Sequence, residues 1–387
     1  MPDDLDAVMV AARGAAIDRP AIARRWRRLD EIFLLNSTSG TTGMPKCVAH
    51  DQMRWLHFSA LACASARLSG QDIFMAGAPM PFGFGLWTSH ITPALLGAPC
   101  IKLRQFDARA AMALIDQYQV TVLAAVSTQF MMILNGGDDF ALDSLRILYT
   151  GGEAVPQARA AAFERRTGAH VLQFYGSNES GAFSYTCLDD PADRRLSTAG
   201  RVIPQMQVRL FDETGRDVTG SGRGRPAGLG QLLSRGYFND AEANARLFTP
   251  DGWMLMDDIV EIDPDGYLRV VGRVGDFIIR GGKNISTAAI EEAVAEHPRV
   301  SLAAVVARPD PLFGERAAVF VETRDGAPMT LDELVTDLRR RHVSPEIFPE
   351  YLIHREVLPR ASGGKVAKGV LKAEIMAMAD VREAGDP

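Results

Sequence analysis

Apolar residues fall in short runs along most of this chain, and stretches of helical period separate them. Glu31–Leu35 (EIFLL) is short, apolar and stopped by a Ser/Thr/Gly cluster, which predicts a buried strand. The first 30 residues, with Ala-rich and Arg-rich faces, predict helix. Further strands are predicted at Ile73–Ala76, Cys100–Leu103, Val120–Val126, Leu145–Tyr149 and Ala169–Phe174. Helices are predicted over Arg109–Gln117, Thr128–Leu134 and Pro156–Arg166. This alternation argues for an α/β domain with a largely parallel sheet.

Residues 197–271 change character. Turn sequences at 212–215, 250–252 and 264–266, with a Gly/Arg-rich stretch at 220–230, predict a β-rich subdomain of hairpins. Beyond residue 277, Phe277–Arg280, Val300–Ala307, Ala317–Glu322 and Tyr351–Val357 read as strands. Thr287–Glu296, Leu331–Arg341 and Val366–Met376 read as helices, giving a compact α+β unit with its own core. The boundary falls near Gly272–Gly275.

Length and composition narrow the function classes. A chain of 387 residues is too long for one ordinary domain. With 47% hydrophobic and 23% charged residues it is neither disordered nor fibrous. It has no run of 18 apolar residues, so no membrane partner is expected, and the acidic opening MPDDLDAVMV does not read as a signal peptide. A formal net charge of −6 argues against a nucleic-acid partner. Cys47, Cys63, Cys100 and Cys187 are scattered without a paired motif, which fits thiols in a reducing cytoplasm. Only six of the 42 basic residues are lysines, and two of these, Lys46 and Lys365, sit in glycine-rich loops.

Five segments carry candidate chemistry. Ser37-Thr38-Ser39-Gly40-Thr41-Thr42-Gly43-Met44-Pro45-Lys46 follows a strand and offers backbone and hydroxyl donors plus a cation to phosphate oxygens. It is not a Walker loop, because Met44 and Pro45 separate the glycine from the lysine. Gly151-Gly152-Glu153 and Tyr175-Gly176-Ser177-Asn178-Glu179 both close strands, where ligands bind in parallel sheets. Alone, the first reads as a plain strand–helix turn, and the Glu179 carboxylate reads equally as a solvated side chain or as a ligand for a hard cation such as Mg²⁺. Asp257-Asp258 and Gly272-Arg273 flank a hairpin, and an aspartate there could accept hydrogen bonds from a ribose diol. Ser362-Gly363-Gly364-Lys365 precedes a helix.

Taken in order, these segments resemble the adenylate-forming superfamily of acyl- and aryl-CoA synthetases, peptide-synthetase adenylation domains and luciferases, from Glu31 to about Ile375. The resemblance implies a large N-terminal α/β domain with a β-rich subdomain, plus a small mobile α+β C-terminal domain. It implies an AMP-binding (adenylation) domain at 1–271, N-terminally short, with its β-rich part at about 197–271, a hinge at 272–276 and a C-terminal domain at 277–387. Ser39, Gly40, Thr41, Thr42, Gly43 and Lys46 correspond to its phosphate loop, Gly151, Gly152 and Glu153 to its adenine-site turn, and Tyr175, Gly176 and Asn178 to its ATP-binding tyrosine-glycine-x-threonine-glutamate segment. Asp258 and Arg273 correspond to its ribose site, Glu179 to its Mg²⁺ ligand and Lys365 to its catalytic lysine. Gly275, Gly281 and Gly282 fall in the hinge and CoA-facing strand, and Phe82, Phe84 and Trp87 in the region lining the acyl pocket. Those aromatics suit an aromatic or alicyclic acid and read almost equally as core.

The implied reaction activates a carboxylic acid with ATP to an acyl-adenylate, then transfers the acyl group to coenzyme A. A compact cation at Lys365 would bridge the two anions of the first half. Two other readings stay open: an adenylating enzyme that loads a carrier-protein thiol, and a truncated nucleotide-binding remnant with little turnover. Asn178 stands where threonine is usual, and its amide can hydrogen-bond in threonine's place. Only 36 residues precede Ser37, fewer than the family has. Bare apolar faces at Ile32–Leu35 and Ile73–Leu96 are therefore expected, with self-association or marginal stability as the consequence.

Overall fold

The computed structural model describes residues 20, 28–38, 46–78, 83–137, 139–152, 155–274, 276–281, 283–361 and 366–383. The helix expected over the first 30 residues lies almost wholly outside these. Strands β1 (Ile32–Ser37) and β2 (Cys47–Asp51) form an antiparallel pair. Helix α1 (Gln52–Ala66) follows, its first turn capped by the Asp51 carboxylate accepting from the Arg54 amide. A seven-stranded sheet comes next, built from β3 (Phe74–Ala76), β4 (Cys100–Lys102), β5 (Val122–Ala124), β6 (Ile147–Gly151), β7 (His170–Ser177), β8 (Gly181–Tyr185) and β9 (Arg201–Val202). Its order is β4-β3-β5-β6-β7-β8-β9, parallel through β7 and antiparallel beyond it. Helices α2 (Ala108–Tyr118), α3 (Ser127–Leu134) and α4 (Gln157–Thr167) supply the crossovers.

The β-rich stretch forms a second sheet from β10 (Met206–Phe211), β11 (Arg223–Gly230), β12 (Met254–Leu255), β13 (Asp258–Ile262) and β14 (Leu268–Arg273). A helix at Ala241–Leu247, unforeseen in the sequence, interrupts it and is capped by Asp240. The third sheet contains β15 (Phe277–Arg280), β16 (Lys283–Ser286), β17 (Val300–Asp310), β18 (Gly314–Thr323) and β19 (Tyr351–His354). It carries α5 (Thr287–Ala295), α6 (Leu331–Arg340) and α7 (Lys368–Glu383). The expected α/β and α+β classes are both present.

Two apolar clusters lie on the faces of the large sheet. One contains Phe130, Ile133 and Phe163 from its helices and continues into Leu302, Val306, Ala318 and Phe320 of the third sheet. Arg159 ties the two together, donating to the carbonyls of Ala295 at 2.8 Å and Val300 at 3.0 Å. The other contains Trp55, Phe58 and Ala62 of α1 with Trp87, Tyr149 and Phe183, and extends to Leu210 and Val260 of the second sheet.

Two burial expectations need correction. The strand at Glu31–Leu35 is not buried: Ile32, Phe33 and Leu35 are 42%, 42% and 43% exposed, because β1 has only β2 as a partner and its inward residue is polar Asn36. The segment Ile73–Leu96 is not bare. Phe74, Ala76 and Trp87 are buried on the α1 face of the sheet and Met75 on the opposite face, and only Leu95 is largely exposed among its described large apolar side chains.

At the N-terminal edge of the parallel strands, Asp72 accepts from Arg146 Nε and Nη2 at 2.7 Å each and from Thr121 Oγ1 at 2.8 Å. Burial alone would raise its pKa, but these donors hold it below the usual carboxylate value. A depressed folded pKa contributes stability above the unfolded value of about 3.9, lost as pH falls through the folded value. Asp72→Asn should therefore cost about 2–3 kcal/mol at neutral pH, less than a fully buried pair because Arg146 is partly exposed. Denaturant unfolding should show the gap between variant and wild type closing as pH drops below about 4. A constant gap would show that the carboxylate charge contributes nothing.

Candidate functional site

β6 and β7 run parallel in register, Gly151 beside Phe174, so both motif loops leave the same edge of the sheet. A Cβ on Gly151 would meet the Phe174 carbonyl oxygen at 2.2 Å, which only glycine avoids. Gly152 follows with φ of 76°, while Glu153 lies outside the described residues. One residue past Phe174, the Tyr175 hydroxyl donates to Asp258 Oδ2 at 2.8 Å. Arg273, the β14 partner of Asp258, brings Nε within 3.5 Å of Oδ1. Burial, then the Asp258 charge, raises the Tyr175 pKa well above its usual value, so the phenol stays a donor. Asp257 points away to Arg225 Nη2 at 3.0 Å, with its side chain 70% exposed. Strand alternation thus separates two adjacent aspartates that the sequence leaves equivalent.

The next turn is held at close quarters. A Cβ on Gly176 would lie 1.8 Å from the Gly181 carbonyl oxygen. Ser177 Oγ accepts from the amides of Glu179 and Ser180 at 3.2 and 3.0 Å, fixing the tip. Glu179 Oε1 accepts from the Tyr237 hydroxyl at 2.8 Å. The Lys46 ammonium stands 4.8 Å from the centroid of the same tyrosine ring. Tyr237 was missed in the sequence, because it belongs to none of the motifs and meets Glu179 from 58 positions away. Ser39, Gly40, Thr41, Thr42 and Gly43 lie outside the described residues, but their stem is closed. The Thr38 amide donates to the Lys46 carbonyl at 2.9 Å, and the Lys46 amide to Thr38 Oγ1 at 3.2 Å. Asn178 does not point its amide outward. Its Nδ2 donates to Asn36 Oδ1 at 2.7 Å, and its Oδ1 accepts from Asn36 Nδ2 at 3.0 Å.

Of the acyl-pocket candidates, Phe82 lies outside the described residues. Trp87 is 5% exposed and packs edge-on against Phe174 at 4.8 Å, with Tyr149 at 5.7 Å and Phe84 at 6.2 Å. It is a core residue whose indole N–H is buried without a partner among the described residues. Phe84 packs on the same cluster, partly buried.

Lys365 lies outside the described residues, as do Gly275 and Gly282. The stem of the lysine loop is described. Arg360 bridges Val366, and Ala367 donates to the Pro359 carbonyl at 2.8 Å. Gly281, with φ of 57°, lines a cavity of about 420 Å³ with Arg280, Lys283, Phe313 and Arg316. No group of three or more His, Cys, Asp or Glu side chains gathers as a metal cage among the described residues. No helix among them is long and apolar enough to cross a membrane.

Comparison with known proteins gives a consistent picture. The family model described as AMP-binding enzyme matches residues 5–239, and that of the AMP-binding enzyme C-terminal domain matches 289–365. The chain is 32% identical over 352 residues to a medium-chain fatty-acid–CoA ligase of Escherichia coli (strain K12), covering 90% of this chain and 62% of that protein. It is 33% identical over 382 residues to a 2-hydroxy-7-methoxy-5-methyl-1-naphthoate–CoA ligase of Streptomyces carzinostaticus, covering 96% and 66%. The chain thus spans less than two thirds of the length of these relatives. The crystal structure of ATP-bound MatB from Rhodopseudomonas palustris superposes with a TM-score of 0.81 at 25% identity, covering 96% of this chain and 73% of that one.

Three phenols of the site and its core, Tyr149, Tyr175 and Tyr237, have raised pKa values, in each case chiefly through burial. Raised folded values stabilise the protein below the unfolded tyrosine pKa of about 10 and lose that contribution at higher pH. Absorbance of tyrosinate at 295 nm should therefore show these phenols un-ionised in folded protein at about pH 11.5, appearing only on unfolding. Ionisation of all seven tyrosines before any loss of structure would contradict the buried contacts.

Proposed function

The chain belongs to the AMP-binding enzyme family, and on that footing we propose that it activates a carboxylic acid with ATP and passes the acyl group to coenzyme A. In the first half a carboxylate oxygen bonds to the α-phosphorus and pyrophosphate leaves. In the second a thiol sulfur bonds to the acyl carbon and AMP leaves. The observation that carries this reading is the Asp258 carboxylate, held between Tyr175 and Arg273 at the carboxyl end of the parallel strands. A carboxylate fixed there is suited to accept hydrogen bonds from a ribose diol. The relatives named as CoA ligases favour free coenzyme A over a carrier-protein thiol as acceptor.

The remaining roles follow the chemistry. Gly151 and Gly152, in the turn that closes β6, would border the adenine, and Tyr175 and Gly176 would continue that border at the end of β7. The loop from Ser39 to Gly43, with Lys46, would bind the β- and γ-phosphates. Glu179, oriented by Tyr237, would hold Mg²⁺ through a hard oxygen, as suits an ion bound mostly by phosphate and water. When bound, Mg²⁺ supplies positive charge where the phosphates accumulate negative charge. Lys365 would bridge carboxylate and α-phosphate. The hinge at 272–276, between domains at 1–271 and 277–387, would then exchange Lys365 for the segment that contains Gly281 and Gly282. Phe84, packed against Trp87, and the neighbouring sequence position Phe82 would favour an aromatic or alicyclic acid. All four cysteines are free thiols, in keeping with a cytoplasmic setting.

The test is pyrophosphate release with ATP, Mg²⁺ and a panel of benzoates, alicyclic acids and medium-chain acids, with and without coenzyme A. Lys365→Ala should slow release by about 10²–10³-fold while ATP still binds, the scale for losing one preorganised donor. Asp258→Ala should weaken ATP binding, and Asp257→Ala should do so far less. Wild-type release that needs no acid, or an Asp257 variant worse than the Asp258 variant, would overturn the assignment.

A further inference from the structure

Beneath the Ser177–Ser180 turn, Arg54, His50 and Asn36 form a closed ring of polar contacts with Asn178. Arg54, in the first turn of α1, is 1% exposed, and His50 is fully buried. Arg54 Nη1 lies 2.5 Å from His50 Nδ1. Nη1 and Nη2 also donate to the Asn178 carbonyl, at 3.2 Å each, and Nη2 reaches the Glu179 carbonyl at 3.4 Å. His50 Nε2 lies 2.5 Å from Asn36 Oδ1, and Asn36 exchanges two amide bonds with Asn178. The circuit therefore runs from Arg54 through His50 and Asn36 to Asn178 and back to Arg54.

Donor and acceptor counting fixes the direction of every bond. A guanidinium only donates, so His50 Nδ1 accepts. His50 Nε2 then carries the hydrogen and donates to Asn36 Oδ1. That oxygen also accepts from Asn178, which leaves the Asn36 amide nitrogen to donate to Asn178 Oδ1. One neutral tautomer of His50 accounts for every bond of the ring, while Arg54 Nε is buried without a partner among the described residues. Burial with the neighbouring Arg54 charge pushes the His50 pKa down to about 3. The turn lies flush on the guanidinium: a Cβ on Gly181 would meet Arg54 Nη2 at 2.8 Å and Phe58 Cζ at 2.0 Å. The Phe58 ring lies 5.3 Å from the guanidinium carbon, and the Ser234 amide takes the Glu179 carbonyl at 2.7 Å.

A merely structural role would be served as well by packed apolar residues, because burying a guanidinium is costly. The ring instead spends its donors on two residues, Asn178 and Glu179, and anchors them to Asn36 on the strand that leads to Thr38. Both ends of the Asn178 amide are used in doing so.

We propose that Arg54 is a positioning residue for adenylate formation, acting through His50, Asn36 and Asn178 to hold the Glu179 turn in one orientation against the end of β1. Asn178 then serves by its place in the ring, with its side chain committed to Asn36. This inference rests on the ligase reading above.

The test uses Arg54→Met and Asn36→Ala in the full chain, with thermal midpoints, Mg·ATP binding by calorimetry and single-turnover pyrophosphate release. Release should slow by about 10- to 100-fold, as expected when a reacting group is misplaced by about an ångström. The carboxylate concentration giving half-maximal rate should change less than about threefold, because the acid is bound elsewhere. The double variant should fall no further than Arg54→Met alone, since both break one ring. Should Arg54→Met not fold, Asn36→Ala, at the rim of the ring, decides alone. Folded variants with wild-type release rates, or losses that multiply in the double variant, overturn the inference while leaving the ligase reading intact. A wild-type protein that releases no pyrophosphate with any acid removes the ligase reading, and this inference with it.

Discussion

A positive charge buried to 1% exposure must be satisfied by whatever surrounds it, and around Arg54 that requirement joins three distant parts of the chain. Burial pushes its pKa down to about 9, with the carboxylates of Asp51 and Glu179 opposing the shift, so the group is still charged at neutral pH. Asp51 caps α1 and also accepts from Arg235 Nε at 3.0 Å. Arg235 in turn donates its amide to the Ala49 carbonyl, and Tyr237 reaches Glu179 from the same segment. The two-stranded β1–β2 unit, the edge of the large sheet and the chain between the second-sheet strands are therefore fixed to one another by polar contacts, where apolar packing is thin.

Much of the scaffold was legible because its physics is local. Parallel strands buried on both faces read as short apolar runs, and glycine loops after them mark where a backbone must turn or approach a ligand. The strands from β3 to β7 and their helices follow that rule. α1 does not, because its buried side includes Arg54, Ser59 and Ser65, and polar residues there break the apolar period. β1 misled for the opposite reason. Ile32, Phe33 and Leu35 are exposed, Leu34 is only partly buried, and the buried position is Asn36, held by a residue 142 positions away.

The candidate site divides along the same line. Asp258, Glu179, Lys46 and the paired glycines stand out by motif. Tyr237, His50 and Asn36 do not, because their significance lies in contacts across more than a dozen to well over a hundred positions. Asn178 shows the difference most clearly. Its amide could be read from sequence as a free donor, but the donor and acceptor are already spent on Asn36. Order and spacing identify which residues border the site. They do not show which are turned toward it.

The lysine loop makes a final point about what can move. Its stem is pinned inside the third-sheet unit: Glu322 accepts from the Leu358 amide at 2.5 Å and from Arg360 Nη2 at 3.0 Å, and Lys368 pairs with partly buried Glu291 at 2.7 Å. Burial raises the Glu291 pKa against the opposing Lys368 charge, so separating that pair would strand a charge in a poor environment. The residues on either side of the lysine loop thus belong to the third-sheet unit. On the function proposed above, Lys365 would be carried to a ligand at the Asp258 site with that unit. The connection after β14 would absorb that motion. The Val274 amide bonds to the Asp257 carbonyl at 2.7 Å and the Asp276 amide to the Arg273 carbonyl at 3.0 Å. Rotation there must break those two backbone bonds, and it must also part the apolar cluster that Leu302, Val306, Ala318 and Phe320 share with the large sheet and the two Arg159 bonds to Ala295 and Val300.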